Sequence, residues 1–153
     1  MYRSAIRELE LDDIPVFCEN VRQCDIDEIK ASCGLTPEQV LNSTLYFHGL
    51  SALLSIEGEM VCIFGVTDLL DSRGVPWMIA TNNIKKYPKS FLKASDQIFP
   101  VLIEGFEYLE NYVDTRNTTS IRWLERLGFE IMPAEPFGVA NMPFHKFRMS
   151  CNV

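Results

Sequence analysis

A segment of thirteen residues near the C-terminus, 117–129, constrains the fold more than any other part of this chain. The side chain of Asn117 can accept a hydrogen bond from a free backbone N–H of a first helical turn. An apolar stripe follows at helical spacing, formed by Ile121, Leu124 and Leu127. Gly128 suits the left-handed residue that ends a helix. The pattern predicts a short capped helix that leads directly into a strand.

The rest of the chain alternates β-prone and helical segments. Strands are predicted at 2–9, 51–56, 60–67, 75–81, 108–113, 129–133 and 144–150. Helices are predicted at 25–32, 36–47 and 90–107, and two more are predicted to begin at residues 11 and 117. Glu57 and Gly58 suit a tight hairpin turn, and Pro100 is expected to kink or split helix 90–107. This order predicts one domain over residues 1–153, a mixed central sheet with helices on both faces, in the α/β or α+β class.

Composition excludes several classes of protein. With 47% hydrophobic residues the chain can form a core, which excludes wholesale disorder. A net charge of −7 argues against binding to nucleic acid or to an anionic membrane, and no apolar run approaches the ~20 residues of a membrane span. The five cysteines show no CxxC spacing and there are only two histidines, so we expect reduced thiols, no metal and a cytoplasmic compartment.

Segment 117–129 resembles the C-terminal signature of the GNAT superfamily of N-acetyltransferases, in which Asn-x-x-Ala-Ile-x-Leu-Tyr-x-Lys-Leu-Gly-Phe is common. The matching positions are Asn117, Ser120, Ile121, Trp123, Arg126, Leu127, Gly128 and Phe129. The resemblance implies a GNAT-like fold over nearly the whole chain and acetyl-CoA-dependent acyltransferase activity. Leu124 stands where the family usually has a tyrosine, so the usual proton donor is absent. Its helical spacing favours a core leucine, and Tyr112 or a cysteine could replace the donor.

A second resemblance rests on shorter motifs, which are Val21–Asp25, Glu28–Ser32, Gly34–Pro37, Phe64–Val66, Pro76–Trp77 and Ile79–Thr81. Together they are similar to a set of GNAT-like tailed-phage proteins that are described as internal virion protein A or as phage acetyltransferases. This resemblance implies a viral origin. It also implies a location in the cytoplasm of the infected bacterial host, with the virion as the alternative.

The family resemblance also implies a phosphate-binding loop after the fourth strand, with the pattern Gln/Arg-x-x-Gly-x-Gly/Ala. If Lys85 takes the basic position, Pro88 and Ser90 replace the two glycines. Proline has no N–H, so this degenerate loop lacks one phosphate donor and should bind acetyl-CoA weakly. The implied cofactor contacts are Thr81, Lys85, Lys86, Lys89, Ser90 and Asn117. The alternatives are a solvated lysine-rich turn and an asparagine that only caps its helix.

The catalytic residues remain unknown from the sequence. Asp68 and Asp114 follow predicted strands and could face a substrate cleft, although both suit turns or caps. Neither His48 nor His145 belongs to a visible nucleophile–base pair.

Two functions of different classes follow. The first is a phage GNAT-like N-acetyltransferase that acts on a small amine or a protein acceptor. The alternative is a non-catalytic GNAT-fold virion component or assembly factor, which would bind a phage structural or host protein. The altered loop and Leu124 favour the alternative, whereas Asn117 and the lysine cluster favour residual cofactor binding.

Overall fold

A computed structural model describes residues 2–151. Its strands are β1 Ser4–Glu8, β2 Gly49–Ile56, β3 Glu59–Asp68, β4 Arg73–Ala80, β5 Tyr108–Asp114, β6 Glu130–Phe137 and β7 Met142–Ser150. Its helices are α1 Asp13–Cys18, α2 Gln23–Cys33, α3 Pro37–Thr44, α4 Pro88–Leu102 and α5 Thr118–Leu127, with a 3-10 turn at Asn82–Lys86. The predicted elements are therefore all present, with shifted ends.

The strands form one seven-stranded sheet in the order β1-β2-β3-β4-β5-β7-β6. Neighbouring strands are antiparallel except β4 and β5, which are parallel. The sheet is therefore mixed, as predicted. The parallel pair contains only Arg73 with Tyr108 and Gly74 with Leu109, so the two strands separate after their first residues.

Helices cover both faces of the sheet, as the sequence pattern predicted. Successive strand residues point to opposite faces. Leu53 and Ile63 pack on one side with Phe17 of α1 and Leu41 of α3. On the other side the residues that alternate with them pack against α4 and α5, in a core that includes Leu54, Phe64, Phe91, Leu124 and Phe129. The sheet thus separates two apolar cores.

Two helix ends differ from the prediction. Helix α3 ends at Thr44 rather than near 47, and the hydroxyl groups of Ser43 and Thr44 donate to the carbonyls of Val40 and Leu41, each at 2.7 Å. These side-chain hydroxyl groups compete with the backbone N–H groups that would bond to the same carbonyls if the helix continued. Helix α4 is not split at Pro100. The proline lies in its last turn, and the helix ends two residues later at Leu102 instead of at 107.

The local turn and cap predictions are confirmed. Glu57 and Gly58 have φ values of 50° and 76°, as a two-residue hairpin turn with two left-handed residues requires. The Asn117 side chain accepts a hydrogen bond from the Ser120 N–H, and Gly128 ends α5 with a φ of 103°. Strand β6 extends to Phe137 despite two prolines, which an edge strand tolerates.

The structure has five free thiols, at Cys18, Cys24, Cys33, Cys62 and Cys151. Within residues 2–151, no cluster of three or more His, Cys, Asp and Glu side chains is placed to hold a metal ion. In the same part of the chain, no helix has the length and apolar character that a membrane span requires.

Candidate functional site

The separation of β4 and β5 leaves an opening in the middle of the sheet. The Thr81 N–H donates to the Val61 carbonyl of β3 at 2.9 Å. Because bonding alternates along an antiparallel ladder, the amide groups of Met78 and Ala80 point away from β3, toward β5. Strand β5 pairs only with the first residues of β4. The opening therefore exposes one backbone edge of β4 to the interior of the molecule.

The start of α2 closes one end of this opening. The guanidinium of Arg22 makes two hydrogen bonds of 2.9 Å to the carboxylate of Asp25, and both side chains are buried. Asp25 also accepts the Ala80 N–H at 2.9 Å, and the Arg22 N–H donates to the Ala80 carbonyl at 2.9 Å. The last residue of β4 is thus bonded to α2 where a neighbouring strand would otherwise bind.

Glu28 lies one helical turn after Asp25 on the same stripe of α2. Its Oε1 accepts the N–H of Asp114 at the end of β5, at 2.7 Å. Burial raises the pKa of Glu28 to about 7, and the nearby charges of Asp25 and Asp114 contribute. The side chain keeps some contact with water, at the wall of a cleft. A carboxyl group with such a pKa can accept and release a proton near neutral pH.

Asn117 joins α5 to this acidic stripe. Besides capping α5, its side-chain amide donates to Asp25 at 3.3 Å and to Glu28 at 3.5 Å. The neighbouring Ser120 hydroxyl accepts from Arg22 at 3.3 Å. Asn117 is buried and its side-chain oxygen and nitrogen both have protein partners. Capping, which the sequence offered as one explanation, is therefore an observed role of this residue.

A basic groove of about 580 Å³ runs between α4 and α5. Lys85, Arg122 and Arg126 contribute positive charge, and Phe91 and Trp123 form apolar walls. Arg126 also makes two bonds to Asp96, at 2.7 and 3.0 Å. Cationic side chains on an apolar floor suit a ligand with phosphate groups and an uncharged arm.

The loop residues predicted for the cofactor line two cavities. Lys85 lines the groove, whereas Lys86 pairs with Glu59 at 2.8 Å. Lys86, Lys89 and Ser90 line a separate cavity of about 560 Å³. A ligand confined to one of these cavities would therefore contact only some of the three lysines.

Thr81 has a structural role in the same loop. Its buried hydroxyl donates to the Met60 carbonyl at 2.7 Å and accepts the Asn83 N–H at 3.2 Å, which starts the 3-10 turn. Pro88 occupies the first position of α4, where it provides no N–H to a phosphate.

A cleft of about 480 Å³ opens on the sheet face that α2 and α3 cover. Glu28, Asp68, Trp77 and Tyr112 line it. Gly65 lies opposite Trp77 on β3, and a Cβ there would collide with the indole ring, so glycine makes room for this wall. Glu28 and Tyr112 also line a small internal cavity of about 80 Å³ in the β4–β5 opening. These two residues therefore connect the opening with the cleft.

The other sequence candidates have mixed outcomes. Leu124 is a buried core residue, as its spacing predicted. Asp68 lines the cleft and accepts the Leu70 N–H at 2.7 Å, so it is also a turn residue. Asp114 is buried and pairs with Arg116 at 2.7 Å. The ring of His145 bonds to the Met132 carbonyl at 2.7 Å, which is a packing role.

Sequence reasoning missed Glu28, Arg22 and Arg122 as functional candidates. The spacing of Arg22, Asp25 and Glu28 at every third residue places them on one helix face. That pattern alone is typical of a solvated face. It becomes informative only when α2 is known to lie over the opening between β4 and β5.

No protein-family model matches this sequence, and a search of curated proteins finds no match. Solved structures do match. A GNAT-family acetyltransferase from Streptococcus pneumoniae is 16% identical with a TM-score of 0.64, covering 97% of this chain and 99% of its own. The ribosomal-protein-S18-alanine N-acetyltransferase from Escherichia coli is 17% identical with a TM-score of 0.65, covering 99% and 96%. A mutant spermidine N-acetyltransferase from Vibrio cholerae is 11% identical with a TM-score of 0.64, covering 96% and 93%.

These structures are aligned along almost the full length of this chain, although few residues are identical. The likeness concerns the arrangement of the sheet and its helices rather than particular side chains. This chain therefore has the fold of the GNAT acetyltransferases.

Proposed function

We propose that this protein is a phage GNAT-like N-acetyltransferase, which transfers the acetyl group of acetyl-CoA to a primary amine. The observation that carries the proposal is the position of Glu28. It lies where the β4–β5 opening meets the cleft, and burial raises its pKa to about 7. An acceptor amine in the cleft and a thioester in the opening would both lie beside one group suited to proton transfer.

The proposed step uses Glu28 as general base. Its carboxylate removes a proton from the ammonium group of the acceptor. The amine nitrogen then bonds to the acyl carbon and the carbon–sulfur bond breaks. The nitrogen gives up its second proton to water, and the leaving thiolate takes up one proton, so that an amide and a free thiol result. Leu124 cannot supply that proton, and Tyr112 is the candidate donor because it lines both the cleft and the opening.

For the cofactor, we propose that Lys85 and Arg122 attract the phosphate groups in the groove between α4 and α5. Pro88 withholds a backbone donor at the start of α4, so exposed cations must supply more of the attraction. Such attraction weakens as salt shortens the Debye length to about 8 Å at physiological ionic strength. Weak, salt-dependent binding of acetyl-CoA is the expected result.

The acceptor belongs to the primary amines, either a small molecule or a protein. The matched structures include one enzyme named for a protein alanine and one named for spermidine. The proposed location is the cytoplasm of an infected bacterial host.

A second candidate is a non-catalytic GNAT-fold virion component or assembly factor that binds a phage structural or host protein. One observation favours it. Asp25 and Arg22 already occupy the N–H and carbonyl of Ala80, so this part of the β4 edge has no free group for the arm of a cofactor. The altered loop and the leucine at position 124 also favour this second candidate.

Release of free thiol from acetyl-CoA in the presence of a panel of primary amines tests the leading proposal. Activity is expected with at least one amine, and Glu28→Gln should reduce kcat by about 100-fold or more, the typical contribution of general base catalysis. Asp27→Asn is the matched control, because it removes a carboxylate from the adjacent position of α2. No turnover with any amine would favour the second candidate, whereas equal rates for both variants would show that Glu28 is not the base of the reaction.

A further inference from the structure

The cleft on the α2–α3 side has an unusual charge pattern. Among the residues that line it within the described part of the chain, the charged ones are Glu28 and Asp68. Both are acids, so the cleft suits a ligand with positive charge. The whole chain, at −7, adds long-range attraction for the same kind of ligand.

The two acids lie at opposite ends of the cleft. Asp68 pairs across the ladder with Gly74 at the start of β4, whereas Glu28 binds the N–H of Asp114 at the end of β5. Strands β4 and β5 run in the same direction. Gly74 pairs with Leu109, so at about 3.3 Å per residue the five steps from Leu109 to Asp114 separate the ends by roughly 15–20 Å. This distance corresponds to about five residues of extended peptide.

Large apolar side chains surround the mouth of the cleft near Asp68. Phe47 and Leu69 line the cleft and are 62% and 44% exposed, and Leu70 beside them is 69% exposed. We call Phe47, Leu69 and Leu70 the apolar rim. Exposed apolar groups arranged around a cavity, rather than scattered singly, indicate a binding surface.

The backbone holds part of this rim in a strained conformation. Leu70 has a φ of 66°, in the left-handed region that L-residues other than Asn and Asp rarely adopt. The Asp68 carboxylate fixes the turn by accepting the Leu70 N–H at 2.7 Å. An outlier conformation that keeps a leucine in solvent is consistent with a binding role for this turn.

Building on the proposed acetyl transfer, we infer that the acceptor is the free amine terminus of a protein segment that lies extended along this cleft. Its terminal amine would lie at Glu28, large apolar side chains would contact the apolar rim, and a basic side chain about five residues later would meet Asp68. A polyamine offers the positive charges but no side chains to cover Phe47 and Leu69. The apolar rim therefore favours a peptide over a polyamine.

Calorimetric titration of the full chain without acetyl-CoA tests this inference. The probes are a hexapeptide of alternating alanine and leucine with a free amine terminus and a C-terminal lysine amide, the same peptide N-acetylated, and spermidine. The free peptide should bind about tenfold more tightly than either of the others, since one lost charge interaction or one lost apolar contact has about this effect.

Two variant pairs locate the binding. Phe47→Ala should weaken peptide binding by about tenfold, whereas Tyr46→Ala should change it less than about twofold, because Tyr46 is 87% exposed and does not line the cleft. Asp68→Asn keeps an acceptor for the Leu70 N–H and should weaken binding by about threefold or more. Asp71→Asn removes a charge from the same turn outside the cleft and is its control.

Equal affinity for spermidine, equal affinity for the N-acetylated peptide, or no binding of any probe would overturn the inference. Peptide binding without acetyl transfer would support the inference and refute the proposed activity. Acetyl transfer to spermidine without peptide binding would support the proposed activity and overturn the inference.

Discussion

The replacement of Glu28 by glutamine should change how the stability of the protein depends on pH. Burial raises the pKa of this carboxyl group from 4.5 in the unfolded chain to about 7. Below pH 4.5 both states hold the proton. Between pH 4.5 and 7 the unfolded chain releases it while the folded protein retains it, so the free energy of unfolding falls as pH rises. Glutamine does not titrate, and this contribution should disappear.

The structure sets the size of the effect. One pKa unit corresponds to about 1.4 kcal/mol, so the full shift would give an upper limit of about 3 kcal/mol. Glu28 keeps some contact with water at the cleft wall, which reduces the expected value to about 1–2 kcal/mol. The glutamine oxygen can still accept the Asp114 N–H that Glu28 accepts at 2.7 Å, so the local bonding is preserved.

Urea unfolding at pH 5 and pH 8 measures this effect. From pH 5 to pH 8, the free energy of unfolding of the wild type should fall by about 1–2 kcal/mol more than that of Glu28→Gln. Asp27→Asn, the next residue back on α2, should follow the wild-type pH dependence. If the wild type and Glu28→Gln show parallel pH dependence, Glu28 does not titrate near neutral pH, and its role as the base would be wrong.

Three further predictions concern the core, the loop and the thiols. Phe129→Ala should lower the free energy of unfolding by about 3–5 kcal/mol, because Phe129 is buried against Phe99 and Phe147; thermal or urea unfolding measures this, and an unchanged midpoint would contradict the packing. Pro88→Gly should tighten acetyl-CoA binding in calorimetry by restoring a backbone donor, and unchanged affinity would place the phosphates elsewhere. Thiol counting should find five free cysteines after denaturation but protect Cys62 in the folded protein, where it is fully buried; rapid labelling of Cys62 would contradict that burial.

Local features of the fold could be predicted from the sequence because each depends on neighbouring residues. Asn117 and Gly128 define both ends of α5 through one side-chain acceptor and one left-handed residue. Thr36 and Gln39 form the capping box that starts α3. In each case the information lies within a few positions of the chain, and the structure agrees with it.

The site could be predicted only in part. It depends on where the pairing of β4 with β5 ends and on the directions in which the side chains of the 3-10 turn point. Lys85 and Lys86 are adjacent in sequence, but a 3-10 turn has three residues per turn, so their side chains point about 120° apart. One lysine therefore lines the groove and the other pairs with Glu59. Likewise, the raised pKa of Glu28 results from the position of α2 over the β4–β5 opening, which no local pattern encodes.

Titration of the purified protein with acetyl-CoA by calorimetry tests the central claim most directly. We predict saturable one-to-one binding that weakens as salt is raised and is lost in the double variant Lys85→Glu/Arg122→Glu, both of whose positions line the groove. Lys86→Glu/Lys89→Glu makes the same charge change in the separate cavity and should retain binding. No heat of binding at millimolar acetyl-CoA, or binding that only the second pair abolishes, would contradict the account of an acetyl-CoA site between α4 and α5.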